Sequence, residues 1–136
     1  MISKYGPEFI PRRATPGSQA YDFFCPIDIT IEAGQTVVFD TGVSLEPGDL
    51  YDDEAMNIIP RSSLGIKYGL RLKNSVALID SDYHDTIKAA LITDESYTIK
   101  RGERFMQGQI VKCGRIPNEI PPTQSRTGGL GSTGRF

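Results

Sequence analysis

The sequence predicts an all-β domain, and three observations carry that expectation. Apolar and polar residues alternate over short stretches; in residues 27–32, Ile27, Ile29 and Ile31 fall on one face of an extended chain and Asp28, Thr30 and Glu32 on the other. The 14 glycines and 9 prolines are spread through the chain and divide it into runs that suit strands better than long helices. No apolar pattern of i, i+3, i+4, i+7 persists for about twelve residues, as a packed helix requires. A chain of 136 residues is the size of one domain. Many short strands between turns suit a sandwich, a jelly roll or a barrel, and this pattern alone does not choose among them.

Element by element, the strand at 27–32 ends in a turn at Ala33 and Gly34. Further strands are expected over residues 36–40, 56–59, 69–72, 76–79, 87–92, 97–99 and 107–112. Residues 62–68 can wind one or two helical turns. The run Val76, Ala77, Leu78, Ile79 reads as a buried strand that delivers Asp80 at its end. Beyond it the character changes: thirteen of residues 114–136 are Gly, Pro, Ser or Thr, so few can enter a core. The expected division is a β core over 1–113 and a flexible C-terminal arm over 114–136.

Composition narrows the function. Hydrophobic residues make up 38% and charged residues 24%, enough for a core, while the net charge of −2 has the wrong sign for stable nucleic-acid binding. No apolar run approaches the roughly 18 residues of a membrane span, and the first residues lack an apolar signal segment, so no membrane association and a cytoplasmic location are expected. Cys25, Cys113 and His84 cannot make a tetrahedral zinc site without carboxylates.

Four stretches could carry chemistry. In residues 60–69, a proline ends a strand and Arg61, Ser62 and Ser63 follow, offering a cation, hydroxyls and the N–H groups of a first helical turn to an anion; ordinary capping by Ser62 explains the same pattern. In residues 74–83, Asp80 with Asp82 close behind could deprotonate a water at a cleft, or simply turn the chain. A hairpin there would expose backbone N–H and C=O groups to a flat, amide-edged base. Residues 126–134 concentrate glycines beside Arg126, Ser132 and Thr133, as a backbone folding around phosphates needs, and as a disordered terminus also would. Asp22 lies among Tyr21, Phe23 and Phe24, where a buried carboxylate needs a partner or a cation.

Each piece is weak alone, but their order is specific. With Gln19 to Phe23, residues 60–69, 74–83, 102–107 and 126–134 in sequence, the chain resembles the trimeric dUTP pyrophosphatase (dUTPase) family, whose five motifs occur in this order. The resemblance implies a distorted β-barrel or jelly roll with one short helix and an arm. It implies hydrolysis of dUTP to dUMP and pyrophosphate, limiting uracil in DNA, with Mg²⁺ on the triphosphate. By the same resemblance Asp80 is the base and Asp22 holds the metal through water. Arg61, Ser62, Ser63 and Gln107 serve the phosphates, Asn74 reads uracil, and Tyr83 packs under deoxyribose. Arg126, Gly129, Gly131, Ser132 and Thr133 close on the γ-phosphate at a neighbouring subunit, and Leu130, where many members carry phenylalanine, makes an aliphatic lid. A homotrimer with shared sites follows from the resemblance. Two alternatives remain. Related dCTP deaminases share the Arg-Ser-Ser pattern, but they use a glutamate after the third motif and no Glu occurs here between Glu54 and Glu95. The other is a nucleotide-switched regulatory protein with a protein partner.

Overall fold

Among the residues that the computed structural model describes, 1–129 and 133–134, the alternating stretches form eleven strands, one α-helix and one 3-10 turn. In chain order these are β1 (Ile2–Ser3), the 3-10 turn (Pro7–Phe9), β2 (Tyr21–Phe24), β3 (Ile29–Ile31), β4 (Thr36–Asp40) and β5 (Val43–Ser44). There follow β6 (Glu54–Pro60), α1 (Ser62–Tyr68), β7 (Arg71–Leu72), β8 (Ala77–Asp80), β9 (Lys88–Ile92), β10 (Tyr97–Ile99) and β11 (Arg104–Lys112). All ladders are antiparallel. They make a four-stranded sheet β2-β11-β6-β8, a three-stranded sheet β4-β9-β7, and the pairs β1-β5 and β10-β3. Among the described residues no ladder closes a barrel, so the all-β expectation is met by separate sheets packed on one core.

The core lies between the two larger sheets. Phe23, Met56, Ile58, Phe105 and Met106 point inward from one, Leu72, Ala89 and Leu91 from the other, and Phe39 meets Phe105 edge to face at 6.1 Å. Burying each large side chain contributes about 1.5–3 kcal/mol. Cys25 is part of this core, and burial pushes its thiol up to about 12. The helix α1 stops where expected: Gly69 adopts φ +67° and its N–H returns to the Gly65 and Leu64 carbonyls.

Two local expectations are corrected. Ile27 is 49% exposed and lies before β3, because the chain bends after Pro26; only Ile29 and Ile31 share the buried face. The run 76–79 is not buried on both sides. Ala77 and Ile79 face the core, whereas Val76 and Leu78 are 44% and 59% exposed, because β8 is an edge strand with one face on the core.

Candidate active site

The edge position of β8 delivers Asp80 to a cavity of about 130 Å³. Asn74 reaches the same cavity from the turn before β8, where the Ser75 N–H donates to the Leu72 carbonyl at 2.9 Å and Ser75 takes φ +66°. That left-handed conformation costs a non-glycine residue about 1–2 kcal/mol. β8 pairs with β6, so residues 74–83 do not form a hairpin ladder of their own among the described residues. After β8 the chain turns, with the Tyr83 N–H donating to the Asp80 carbonyl at 3.1 Å, and the Tyr83 ring becomes a buried wall of the cavity. Burial, with the Asp85 and Asp40 carboxylates, pushes the Tyr83 phenol up, while Arg126 opposes.

Arg126 and Gly129 complete this cavity. Arg126 Nη2 donates to Asp80 Oδ2 at 2.5 Å and its Nε to Asp82 Oδ1 at 2.7 Å, and these acidic partners raise the guanidinium further above its ordinary value. Gly129 lies against Tyr83 so closely that a Cβ there would sit 2.5 Å from the ring, which only glycine avoids. The arm therefore docks on this chain's own Asp80 and Tyr83. Beyond β11 the described residues of the arm hold no helix or strand. Thr133 is exposed, and the expectations for Leu130, Gly131 and Ser132 lie outside the described residues.

A second cavity, of about 400 Å³, gathers Asp22, Arg61 and Gln107 with Ser18, Gln19 and Arg104. Asp22 is buried, and its two carboxylate oxygens face two guanidinium groups, Arg104 Nη1 at 3.0 Å on Oδ2 and Arg61 Nε at 3.4 Å on Oδ1. The carboxylate thereby gains the partners its burial demands and orients both arginines. Ser62 and Ser63 open α1 directly after Arg61 but line neither cavity; the helix cap is Arg61, with no side-chain capping bond.

Two residues escaped the sequence reading. Arg104 belongs to the stretch 102–107, but its partner Asp22 is 82 positions away, so nothing local signals the pair. Lys88 lines the first cavity from the start of β9, and its one hint is an exposed cation beside buried Ala89.

The two cavities are far apart. Asp22, Gln107 and Ile59 form one cross-strand row, and Ala55 and Asp80 belong to a row four residues further along β6. At about 3.4 Å per residue and about 4.8 Å per strand, Asp80 and Asp22 are about 20 Å apart. A base must lie within about 3 Å of its proton, or one water away. Within one copy, then, Asp80 and Asp22 do not reach a common atom.

Comparison with known proteins places this β domain in a family. The dUTPase family model matches residues 8–134. The deoxyuridine 5'-triphosphate nucleotidohydrolase of Idiomarina loihiensis is 39% identical over 134 residues, covering 93% of this chain and 87% of that protein. Its counterpart in Haemophilus ducreyi is 38% identical over 142 residues, covering 98% and 92%. The crystal structure of dUTPase from Streptococcus mutans matches with a TM-score of 0.74 at 31% identity, over 87% of this chain and 97% of that one. A Staphylococcus bacteriophage 80alpha dUTPase reaches the same TM-score at 18% identity over 93% and 95%, a likeness of fold alone. The chain belongs to the dUTPase family. No helix among the described residues is long and apolar enough to cross a membrane.

Proposed function

We propose that the chain hydrolyses dUTP to dUMP and pyrophosphate at sites shared between the copies of a homotrimer. The observation that carries this reading is the separation of about 20 Å between the Asp80 and Asp22 cavities, each holding part of one reaction's machinery. Docking the first cavity of one copy against the second cavity of the next brings the parts together, and repeating the operation closes a ring. The arm makes the same contacts on a neighbour's Asp80 as on its own, because the copies are identical. The thirteen Cα-to-Cα steps from Cys113 to Arg126 can span at most about 45 Å, ample for such an exchange.

In the assembled site Asn74 and the backbone beside it hydrogen-bond uracil, and the Tyr83 ring lies under the deoxyribose, where a 2'-hydroxyl would collide. Asp80 accepts a proton from a water whose oxygen attacks the α-phosphorus, and pyrophosphate leaves. Arg61, Ser62, Ser63 and Gln107 donate to phosphoryl oxygens as charge gathers on them. Arg126, Gly129, Gly131, Ser132 and Thr133 close on the γ-phosphate, Leu130 covers the base, and closure excludes water.

Among the described residues no three His, Cys, Asp or Glu side chains gather into a metal cage. Asp22 fits a Mg²⁺ ion that arrives on the triphosphate, since each of its oxygens keeps a lone pair beyond its arginine contact and can accept from a metal-bound water. Bound there, Mg²⁺ would neutralise charge on the phosphates.

The test mixes two inactive variants. Asp80→Asn and Arg61→Ala proteins, each unable to release pyrophosphate from dUTP, are expected to recover activity when unfolded together and refolded as mixed assemblies, because hybrid sites then hold an intact Asp80 and an intact Arg61. No recovery in verified mixed assemblies would place the whole site in one copy. Ammonia release from dCTP, in place of pyrophosphate from dUTP, would overturn the reaction itself.

A further inference from the structure

A side chain that rejects a ribose must be unable to swing aside, and the structure contains a restraint on Tyr83 that lies outside all five motifs. The Tyr83 hydroxyl donates to the Thr86 carbonyl at 2.8 Å, drawing residues 83–86 into a closed loop. The Thr86 hydroxyl donates to Asp40 Oδ2 at 3.0 Å. Asp40 ends β4 and is itself fixed, its Oδ1 accepting from the Gly42 N–H at 2.8 Å and its Oδ2 from the Lys4 ammonium at 3.0 Å. Burial opposes the Asp40 charge, yet these donors hold its carboxyl below the usual range. Next to the loop, the Thr41 N–H donates to the Ile87 carbonyl and the Ile87 N–H to the Val43 carbonyl, so the scaffold is set by backbone bonds that do not depend on Thr86's side chain.

We propose that Thr86 and Asp40 are positioning residues that fix the deoxyribose-over-ribose preference by clamping Tyr83 through the Thr86 carbonyl. Neither touches the nucleotide. The Thr86 hydroxyl anchors the peptide that receives the Tyr83 proton, and the charged Asp40 makes that anchor strong. The Ile87 N–H is the other half of that peptide and stays tied to the Val43 carbonyl, and His84 Nδ1 meets the Leu45 carbonyl at 3.0 Å. Without the Thr86 hydroxyl those ties remain, but the carbonyl side of the peptide can tilt and let the ring shift from a 2'-hydroxyl. This inference rests on Tyr83 as the sugar-facing residue.

The readout is the ratio of kcat/KM for dUTP to that for UTP, a quantity that loss of folding stability alone does not move. Thr86→Val keeps the shape and removes the donor, and is expected to lower the ratio about tenfold, chiefly through better use of UTP. Thr86→Ser restores a hydroxyl and is expected to stay within about twofold of the parent. Asp40→Asn, which keeps an oxygen for the Gly42 N–H, should lower the ratio in the same direction, and adding Thr86→Val to it should cost little more. An unchanged ratio in folded Thr86→Val, a Thr86→Ser as impaired as Thr86→Val, or independent effects in the double variant would each overturn the clamp while leaving dUTP hydrolysis in place. A parent enzyme with no preference for dUTP over UTP would overturn the reading of Tyr83, and the clamp with it.

Discussion

Asp80 has two competing obligations. Its carboxylate accepts from Arg126 and, in the proposed reaction, also takes a proton from water, so the guanidinium and the water share its two oxygens. Asp80→Asn retains a similar shape and loses the base; binding of dUTP with Mg²⁺ is expected to persist while turnover falls about 10²–10⁴-fold. In the parent, ¹⁸O from solvent water should appear in dUMP and not in pyrophosphate. Undiminished turnover would remove Asp80 from its role, and label in pyrophosphate would move the attack off the α-phosphorus. Asp80 was legible because an apolar run ends at it and turn-forming residues follow. The burial of Asp22 among aromatics was legible too, but its two arginine partners were not, since Arg61 and Arg104 reach it only through sheet pairing. Ile27 misled because the alternation begins one step before the point where the chain enters β3.

At the scale of elements, period-two alternation located β3, β4, β6, β9, β10 and β11, and the single helix matches its expected bounds at Ser62–Tyr68. It missed β1, β2 and β5. β1 and β5 span two residues each, too few for a period to register, and β2 reads Tyr-Asp-Phe-Phe, where the polar residue is itself buried. The arm is separable from these elements because β11 ends at Lys112. Deleting residues from Arg126 onward should therefore leave the melting temperature nearly unchanged while slowing hydrolysis severely, because Asp80 loses its cation and the site its cover. A truncated protein of full activity would reduce the arm to a tether.

For the molecule as a whole, the sequence carried the class of fold but not its assembly from four sheets, since register between distant strands depends on which faces find each other in the core. Nor did spacing along the chain reveal that the motifs fall into two separate groups. Asp22 and Gln107 are cross-strand neighbours although far apart in sequence, whereas Arg61 and Asp80 lie in different cavities. The outward face of the four-stranded sheet, with Asn57, Gln109 and Leu78 in one row, runs between the two clefts and is available to a second copy.

In the proposed shared-site assembly, the enzyme's strength depends on its own abundance. A solitary polypeptide would hold two incomplete halves and no working centre, so the rate per milligram should drop as the preparation is thinned below the dissociation range of the oligomer, and return on concentration. A rate per milligram that stays flat down to demonstrably monomeric protein would mean that a single polypeptide suffices.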